Sequence, residues 1–446
     1  MKKSRRSRVR KISYIIFSAV VFLTGAVLAA VELGSLRRQN ELNRERALTQ
    51  LGTYMSEIST DLDKTVYVST APMLGRLADE IWRASAAAKL SLSEITDEQT
   101  ELSSVYKFLS QAGEYTRALN AKAAAGTKTD KKDRDSLLKL RDFAARLDSE
   151  LRYLTAQQQS GALTFEQVKS VLADDEDKKI NFSGELYDTG EAFEGYPTLI
   201  YDGPFSDSAS NEKPALTENA APVTKAEAQK RAADFLGIKE KELYFMSKCE
   251  GDLPCFTFYN AVYTVSVTEK GGLVSYMLSS DIAGESVMNE KAAVKAAAAF
   301  LAQHGYKKVK ESYYFTSDGI CTVNFSYYDG GVIYYTDLIK VSVALDTGKI
   351  TAFDSTGYLM NHRERKIKSD HKLTPESAKS ILNPSLEVKK ISMAFIPDDA
   401  GAEYYVYEYL CTSREGEDVL VYIDPDTGEE RDILILLYSD GGVLTK

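Results

Sequence analysis

The chain has 446 residues, more than one hydrophobic core usually serves, so we expect three or more domains. Hydrophobic residues make up 44% of it, so most of the chain can bury a core. The net charge is −10, and without the seven basic residues of positions 1–11 the remainder carries about −17. Such an acidic body argues against nucleic-acid binding and against lying flat on anionic lipid.

The N-terminus predicts a membrane anchor. Residues 1–11 are basic and contain no acid, and residues 12–31 are twenty residues without a charge. Twenty helical residues span about 30 Å, enough to cross a bilayer, and the basic flank places the tail in the cytoplasm. The alternative is a cleaved signal peptide, because Val27 and Ala29 suit a processing site. The apolar cores of such peptides usually run about 7–15 residues, shorter than this one.

Residues 32–180 predict a helical domain. The segment is rich in Ala, Leu, Glu, Lys and Arg and contains one proline, Pro72. Apolar residues recur at three- and four-residue steps in three stretches, 72–90, 97–119 and 135–154. Such stripes predict an up-and-down helix bundle or a coiled-coil stalk. Trp82, the only tryptophan, is expected in the core, with a contact to a partner as the alternative.

Beyond residue 180 the pattern changes to that of β-strands. Nine of the ten prolines and 21 of the 27 tyrosines lie there, and apolar and polar residues alternate in several runs. Residues 181–213 join the two parts and include the distinctive stretch "YPTLIYDGPFSDS" at 196–208. Its prolines and glycine predict a rigid joint around a short strand, which can also face a partner.

The β-rich part contains a threefold repeat. Each copy opens with a helix that has an N-cap residue and, four residues later, an alanine. The caps are Thr224, Asn289 and Thr374, and the alanines are Ala228, Ala293 and Ala378. Each helix is followed by a hairpin, aligned on Gly272, Gly348 and Gly428. The glycine supplies a positive φ, and Asp346 and Asp426 are expected to hydrogen-bond the turn backbone. The repeat predicts three α+β modules, each a helix on a small antiparallel sheet, at 214–283, 284–366 and 367–446.

This repeat resembles the PepSY domain, in which a capped helix precedes strands that close on a "DTG" hairpin. With the anchor, the helical region and the "YPTLIYDGPFSD" segment, essentially the whole chain resembles the YpeB family of spore germination proteins. The family often continues with histidine where this chain has Ser208, which weakens a role for that side chain. The resemblance implies an α+β fold with a transmembrane helix, a helical bundle or stalk, and three tandem PepSY-like modules.

The resemblance also implies a function. The family consists of non-enzymatic, single-pass proteins of the spore inner membrane, with a short cytoplasmic N-terminus and the ectodomain outside the cytoplasmic membrane. It supports the assembly, stability and regulation of the cortex-lytic enzyme SleB, which degrades cortex peptidoglycan during germination, and its members are processed by a protease. The polar stretches near 206–222 and 361–372 are the expected cut sites. The alternative is an extracytoplasmic sensor or peptide-binding domain that regulates a protease or a signalling partner.

The residues themselves predict no catalytic, cofactor or metal site, because no HExxH, GxSxG, P-loop or GxGxxG sequence is present. His362 and His371 form either a metal- or pH-sensing pair or part of a solvated linker, and the linker is favoured. The paired carboxylates are Asp202 with Asp207 and Asp281 with Glu285; turns and caps explain them more simply than glycoside hydrolysis. Cys249 and Cys255 flank a turn and form either a local disulfide or two unpaired thiols.

Tyrosines on the predicted strands are better evidence for binding. Alternation places some of them on the surface, and exposed tyrosine is favoured at protein interfaces because its ring is apolar and its hydroxyl polar. The predicted partner-binding surface comprises Tyr196, Tyr201, Phe205, Tyr327, Tyr328, Tyr334, Tyr405 and Tyr407.

Overall fold

The chain folds into helical and sheet-containing parts that we describe from a computed structural model. The described residues are 2–95, 103–126, 131–163, 167–168, 213–281, 283–284, 286–398, 401–439 and 442–446. The predicted joint at 196–208 lies outside them, and so do the candidate residues Tyr196, Tyr201 and Phe205. Two compact units are present. The first is Met1–Leu62, Leu77–Lys122 and Thr127–Gly195, and the second is Asp63–Arg76, Ala123–Gly126 and Tyr196–Lys446.

The described part of the helical region contains four long helices: α1 (Lys2–Thr65), α2 (Ala71–Ile95), α3 (Ser103–Ala124) and α4 (Lys131–Gln159). The predicted apolar stripes meet in one core, to which all four helices contribute, for example Leu51, Ile81, Leu109 and Leu151. This shared core makes the region a helix bundle rather than a stalk. The expectation that Trp82 lies in the core was wrong, and its alternative, a contact to a partner, stays a prediction. The Trp82 side chain is 47% exposed and carries the Arg117 guanidinium 4.9 Å from its ring centre, so the indole covers the bundle surface.

The predicted anchor at residues 12–31 falls within α1. Most of its side chains lie outside what the structure describes. Within the part of the chain that the structure describes, no helix has the length and apolar character needed to cross a membrane.

The second unit contains the three repeats, each with four strands in sequence order. The strands are β1 (Tyr244–Cys249), β2 (Cys255–Tyr259), β3 (Tyr263–Thr268) and β4 (Val274–Ser279); β5 (Val309–Ser317), β6 (Ile320–Asp329), β7 (Val332–Ala344) and β8 (Ile350–Asp354); and β9 (Glu387–Pro397), β10 (Glu403–Thr412), β11 (Asp418–Ile423) and β12 (Glu430–Ser439), with β13 (Gly442–Thr445) at the end. The helices are α5 (Lys225–Leu236), α6 (Glu290–Gln303), α7 (Thr356–Asn361) and α8 (Pro375–Ala378).

The helix caps lie at the predicted residues. Thr224 caps α5 by accepting from the Glu227 amide, with the reciprocal bond of a capping box, and Gly237 ends the helix at a φ of 67°. Asn289 caps α6 by accepting from the Ala292 amide, and Thr374 caps α8 through a capping box with Ser377. The third helix is only four residues long, as expected from the proline that soon follows it.

The three modules share one network of strand pairs. The strand order is β1-β2-β3-β4-β8-β7-β6-β5-β13-β12-β11-β10-β9, so β8 joins the first two modules and β13 joins the second and third. The beginning of β7 also pairs in parallel with β9, at Val332–Met393, Ile333–Ala394 and Tyr334–Phe395. Helices α5 and α6 pack on the strands of the first two modules and enclose one shared core. Phe258, Val341 and Phe353 are fully buried in it. The first two modules are therefore fused by a common core.

Candidate partner-binding surfaces and the module linker

The hairpin motif of the second module joins the hairpin to the start of its own helix. Gly348 has a φ of 70°, in the left-handed region that glycine tolerates. The Asp346 carboxylate accepts from the Gly284 amide at 2.8 Å, and this bond is the main reason why the pKa of Asp346 is lowered. The Val287 and Met288 amides both donate to the Leu345 carbonyl. The aspartate thus binds the segment that leads into α6, and in its own turn it accepts from the Thr347 hydroxyl at 3.0 Å.

The third module shows the same arrangement with a different aspartate in the turn. Asp426, which we expected to bond the turn, accepts instead from the Lys372 amide at 3.3 Å in the segment before α8. Desolvation by itself would raise the pKa of Asp426. The bond from the Lys372 amide and the contact with Lys368 outweigh that effect, so the pKa of Asp426 is lowered. The turn amides of Asp426 and Thr427 donate to Asp424, two residues earlier. The prediction that Asp426 bonds the turn backbone was wrong. Asp424 lies only two residues away in sequence and takes that role.

Two of the predicted surface tyrosines are not on the surface. Tyr334 is buried and stacks on Phe395 with ring centres 5.1 Å apart. Tyr407 is buried as well, and its hydroxyl donates to the Leu373 carbonyl at 2.9 Å. Placing these two on a surface was wrong, because the parallel pairing of β7 with β9 and the segment before α8 cover them.

The other described tyrosines of that set differ in exposure. Tyr327 and Tyr405 are half-buried, and Tyr405 stacks on His371 at 4.9 Å. Tyr328 is exposed and has the Lys310 ammonium 5.0 Å from its ring centre. Tyr328 is therefore the member of the set that is most available to a partner among the residues the structure describes.

The linker between the second and third modules, expected to be solvated, contains a buried charge cluster. We call Asp337, His362, Arg365 and Glu403 the linker cluster. The Arg365 side chain is 6% exposed and donates to both carboxylates, at 2.7 Å to Asp337 and 2.6 Å to Glu403. The side chains of Asp337 and Glu403 are 0% and 8% exposed. A planar guanidinium that serves two carboxylates in this way holds β7 and β10 to the linker.

The electrostatics of the linker cluster are those of a structural ion pair. Desolvation by itself would raise the pKa of Glu403. Hydrogen bonds from Arg365 and Thr336 outweigh that effect, so the pKa of Glu403 is lowered. The pKa of Arg365 is raised: desolvation opposes the charge, and its bonds to Glu403 and Asp337 more than compensate. His362 bonds Asp337 through Nδ1 at 2.6 Å and stacks on Tyr358. Each charge has a partner, which favours a permanent contact over a reactive one.

The two linker histidines do not come together as a pair. His362 belongs to the linker cluster, whereas His371 lies 3.4 Å from Asp426 without an aligned hydrogen bond. Within the described ranges, no three His, Cys, Asp or Glu side chains form a group that could hold a metal ion. Of the carboxylate candidates, Asp281 is exposed near Lys349, and Asp202, Asp207 and Glu285 lie outside the described residues.

One carboxyl group is enclosed in the core of the third module. Glu408 is 7% exposed and accepts from the Tyr335 hydroxyl at 2.6 Å. Burial raises the pKa of Glu408, and the bond from Tyr335 only partly offsets this. Such a shift often marks a catalytic acid in a cleft. Here Val406 and Leu420 belong to the same closed core, so the group fits a structural role.

The sequence did not indicate one exposed apolar surface. On the first module, Tyr244, Tyr259, Tyr276 and Leu278 have 61%, 41%, 38% and 46% of their area exposed. Tyr244 lies opposite Tyr259, and Leu278 lies two strands further along on the same face. We call these four residues the outer face. Apolar residues at consecutive positions 276–278 were the available signal, because a strand with one solvated face normally alternates.

This chain is similar to known proteins of the YpeB group. Three family models match it: "YpeB N-terminal" at residues 32–167, "YpeB sporulation, PepSY1 and PepSY2 domains" at 182–368, and "Peptidase propeptide and YPEB domain" at 372–434. A relative from Halalkalibacterium halodurans, called "Sporulation protein YpeB", is 24% identical over 89% of this chain and 90% of its own length. One of the same name from Bacillus subtilis is 25% identical over 88% of this chain and 89% of its own.

A solved structure is also similar. It is the "Bacillus megaterium YpeB C-terminal domain", with 24% sequence identity and a TM-score of 0.45. The match covers 49% of this chain and 100% of that one.

Proposed function

The chain belongs to the YpeB family of sporulation proteins, and from this membership we propose that it is a non-enzymatic, membrane-anchored partner of a cortex-lytic enzyme. Its task is to support the assembly, stability and regulation of SleB in the spore inner membrane. The uncharged run at 12–31 with its basic flank supports the anchor. Anchoring raises the local concentration of a bound enzyme.

The observation that carries the proposal is the outer face. Its four apolar residues lie on neighbouring strands and are open to solvent, which is typical of a surface that another protein covers. Holding an enzyme needs such a surface rather than a cleft with reactive groups. The buried acid Glu408 and the paired linker cluster are consistent with a structural protein.

The test compares three variants in spores and in vitro. Tyr259→Ser combined with Leu278→Ser removes apolar area from the outer face, whereas Tyr328→Ser probes the exposed tyrosine of the second module. Tyr438→Ser, an exposed tyrosine outside both surfaces, is the matched control. If the outer face is the docking site, the double variant weakens SleB binding by about 2 kcal/mol or more, roughly thirtyfold in Kd. SleB levels in spores then fall for that variant alone.

Two results would contradict the proposal. Unchanged SleB levels in a strain that lacks this protein would remove the supporting role altogether. Release of cortex fragments by the purified protein, without added lytic enzyme, would show that it is an enzyme. If only Tyr328→Ser lowers SleB levels, the role stands and the docking surface moves to the second module.

A further inference from the structure

Two cysteines of the first module lie side by side on neighbouring strands. In the antiparallel pair of β1 and β2, Cys249 is directly opposite Cys255. Residues directly opposite in such a pair have Cα atoms about 4.5–5.5 Å apart and side chains on the same face. A disulfide needs a Cα separation of about 4.4–6.8 Å. The backbone is therefore already in place for one.

The two thiols lie in different surroundings. The Cys249 sulfur contacts the Thr257 hydroxyl at 3.2 Å. Burial is the main reason why the pKa of the Cys255 thiol is raised to about 11, and the neighbouring Cys249 adds to this rise. Cys249 is only half-buried, at the end of the edge strand, whereas Cys255 is buried. An oxidant from solution therefore reaches Cys249 first.

We propose that Cys249 and Cys255 are a dithiol site that a low-molecular-weight disulfide converts into an intramolecular disulfide. The Cys249 thiolate attacks one sulfur of the oxidant, forming a mixed disulfide and releasing one thiol. Cys255 then gives up its proton to solvent and attacks the Cys249 sulfur, which releases the second thiol. Two protein thiols are oxidised and one small disulfide is reduced to two thiols.

The other cysteines provide an internal contrast. Cys321 and Cys411 are fully buried in β6 and β10. Cys321 lies opposite Thr316 and Val343, and Cys411 lies opposite Val388 and Val419, so neither has a thiol across the sheet. Only the first module has a pair in position.

The bond would fix one end of the edge strand. The residues between the cysteines form a loop that is exposed over Glu250–Asp252, and β1 has no partner on its outer side among the described strands. Tyr244, at the other end of β1, belongs to the outer face. Closing a short loop by a disulfide restricts the open forms of the hairpin. The proposal does not depend on SleB, because it concerns this chain alone.

The test uses the full chain in detergent, treated with oxidised glutathione and then alkylated before and after denaturation. We expect loss of two hydrogens in the intact mass, a cross-linked peptide containing residues 249 and 255, and Cys321 and Cys411 alkylated only after denaturation. Cys249→Ser should abolish the cross-link. Hydrogen exchange of amides in 244–259 should slow by about tenfold on oxidation.

Three outcomes would overturn the proposal. In the first, Cys249 stays a free thiol. In the second, glutathione remains bound to Cys249 because Cys255 does not displace it, and in the third the disulfide joins two chains. Each is read from the peptide map of the wild-type protein, so the conclusion does not depend on whether the variant folds.

Discussion

Removing the cation of the linker cluster should destabilise the second unit strongly. Arg365 donates to Asp337 and Glu403 at 2.6–3.1 Å and is 6% exposed. Arg365→Ala removes the buried cation that the two carboxylates share, and leaves Glu403 with the exposed Arg363 and Asp337 with His362. Breaking a buried ion pair from one side costs about 3–5 kcal/mol. That is a large part of the roughly 5–15 kcal/mol that stabilises a domain.

A neighbouring arginine supplies the matched control. Arg363 also bonds Glu403, at 2.7 Å, but its side chain is 43% exposed. Exposed ion pairs contribute about 0–1 kcal/mol, because water and salt screen them. Arg363→Ala should therefore cost far less than Arg365→Ala, although both remove a positive charge from the same carboxylate.

The destabilisation caused by Arg365→Ala should also depend on pH. A carboxylate whose folded pKa is lowered, as for Glu403, stabilises the fold above its ordinary pKa of 4.5 and loses that contribution as pH falls. Without Arg365 the desolvated group instead has a raised pKa and is accommodated better when protonated. The difference in unfolding free energy between wild type and Arg365→Ala should narrow as pH falls below about 5.

The measurement must report on the second unit, and the only tryptophan, Trp82, lies in the first. We therefore choose hydrogen exchange of peptides from β7 and β10 in the full chain, followed against urea at pH 7 and near pH 4. Equal costs for Arg365→Ala and Arg363→Ala at pH 7 would refute the reasoning. So would a cost for Arg365→Ala that stays constant with pH.

Three further changes test other parts of the fold by the same measurement. Gly428→Ala should cost about 1–3 kcal/mol, because φ is 74° and the added Cβ would lie 3.0 Å from Ile381. Gly416→Ala, with a φ of 90° but open space around it, should cost less, and equal losses would exclude the steric explanation. The raised folded pKa of Glu408 favours the fold at low pH, so the wild-type protein should lose stability as pH rises above 4.5. Glu408→Gln removes this titrating group and should make the loss smaller. An unchanged pH profile would contradict this. Thr224→Ala should cost about 1 kcal/mol through loss of the cap on α5, and no change in the exchange of that helix would count against the capping role.

The repeat could be found from sequence because its signals are local. The caps Thr224, Asn289 and Thr374 act within three residues along the chain, and the glycine turns act within four. Helical stripes follow from the 3.6-residue period alone, which is why the bundle core was predictable. The family resemblance rests on these same local patterns.

Which tyrosines are exposed was harder to predict, because burial is set by neighbours distant in sequence. Tyr334 is covered through the pairing of β7 with β9, about sixty residues later. The sequence of β7 itself does not indicate that Tyr334 is buried. Conversely, Tyr244 and Tyr276 become one surface only because β1 to β4 place them on the same face.

The sequence by itself determined the helices, the turns and the threefold order of this protein, since each depends on the conformational preferences of a few adjacent residues. Tertiary structure alone decided which charges are partners and which thiols meet. Arg365 reaches a carboxylate 28 residues before it and another 38 residues after it. Cys249 faces Cys255 because the hairpin register puts them opposite each other, where a shift of one residue would point them to opposite faces.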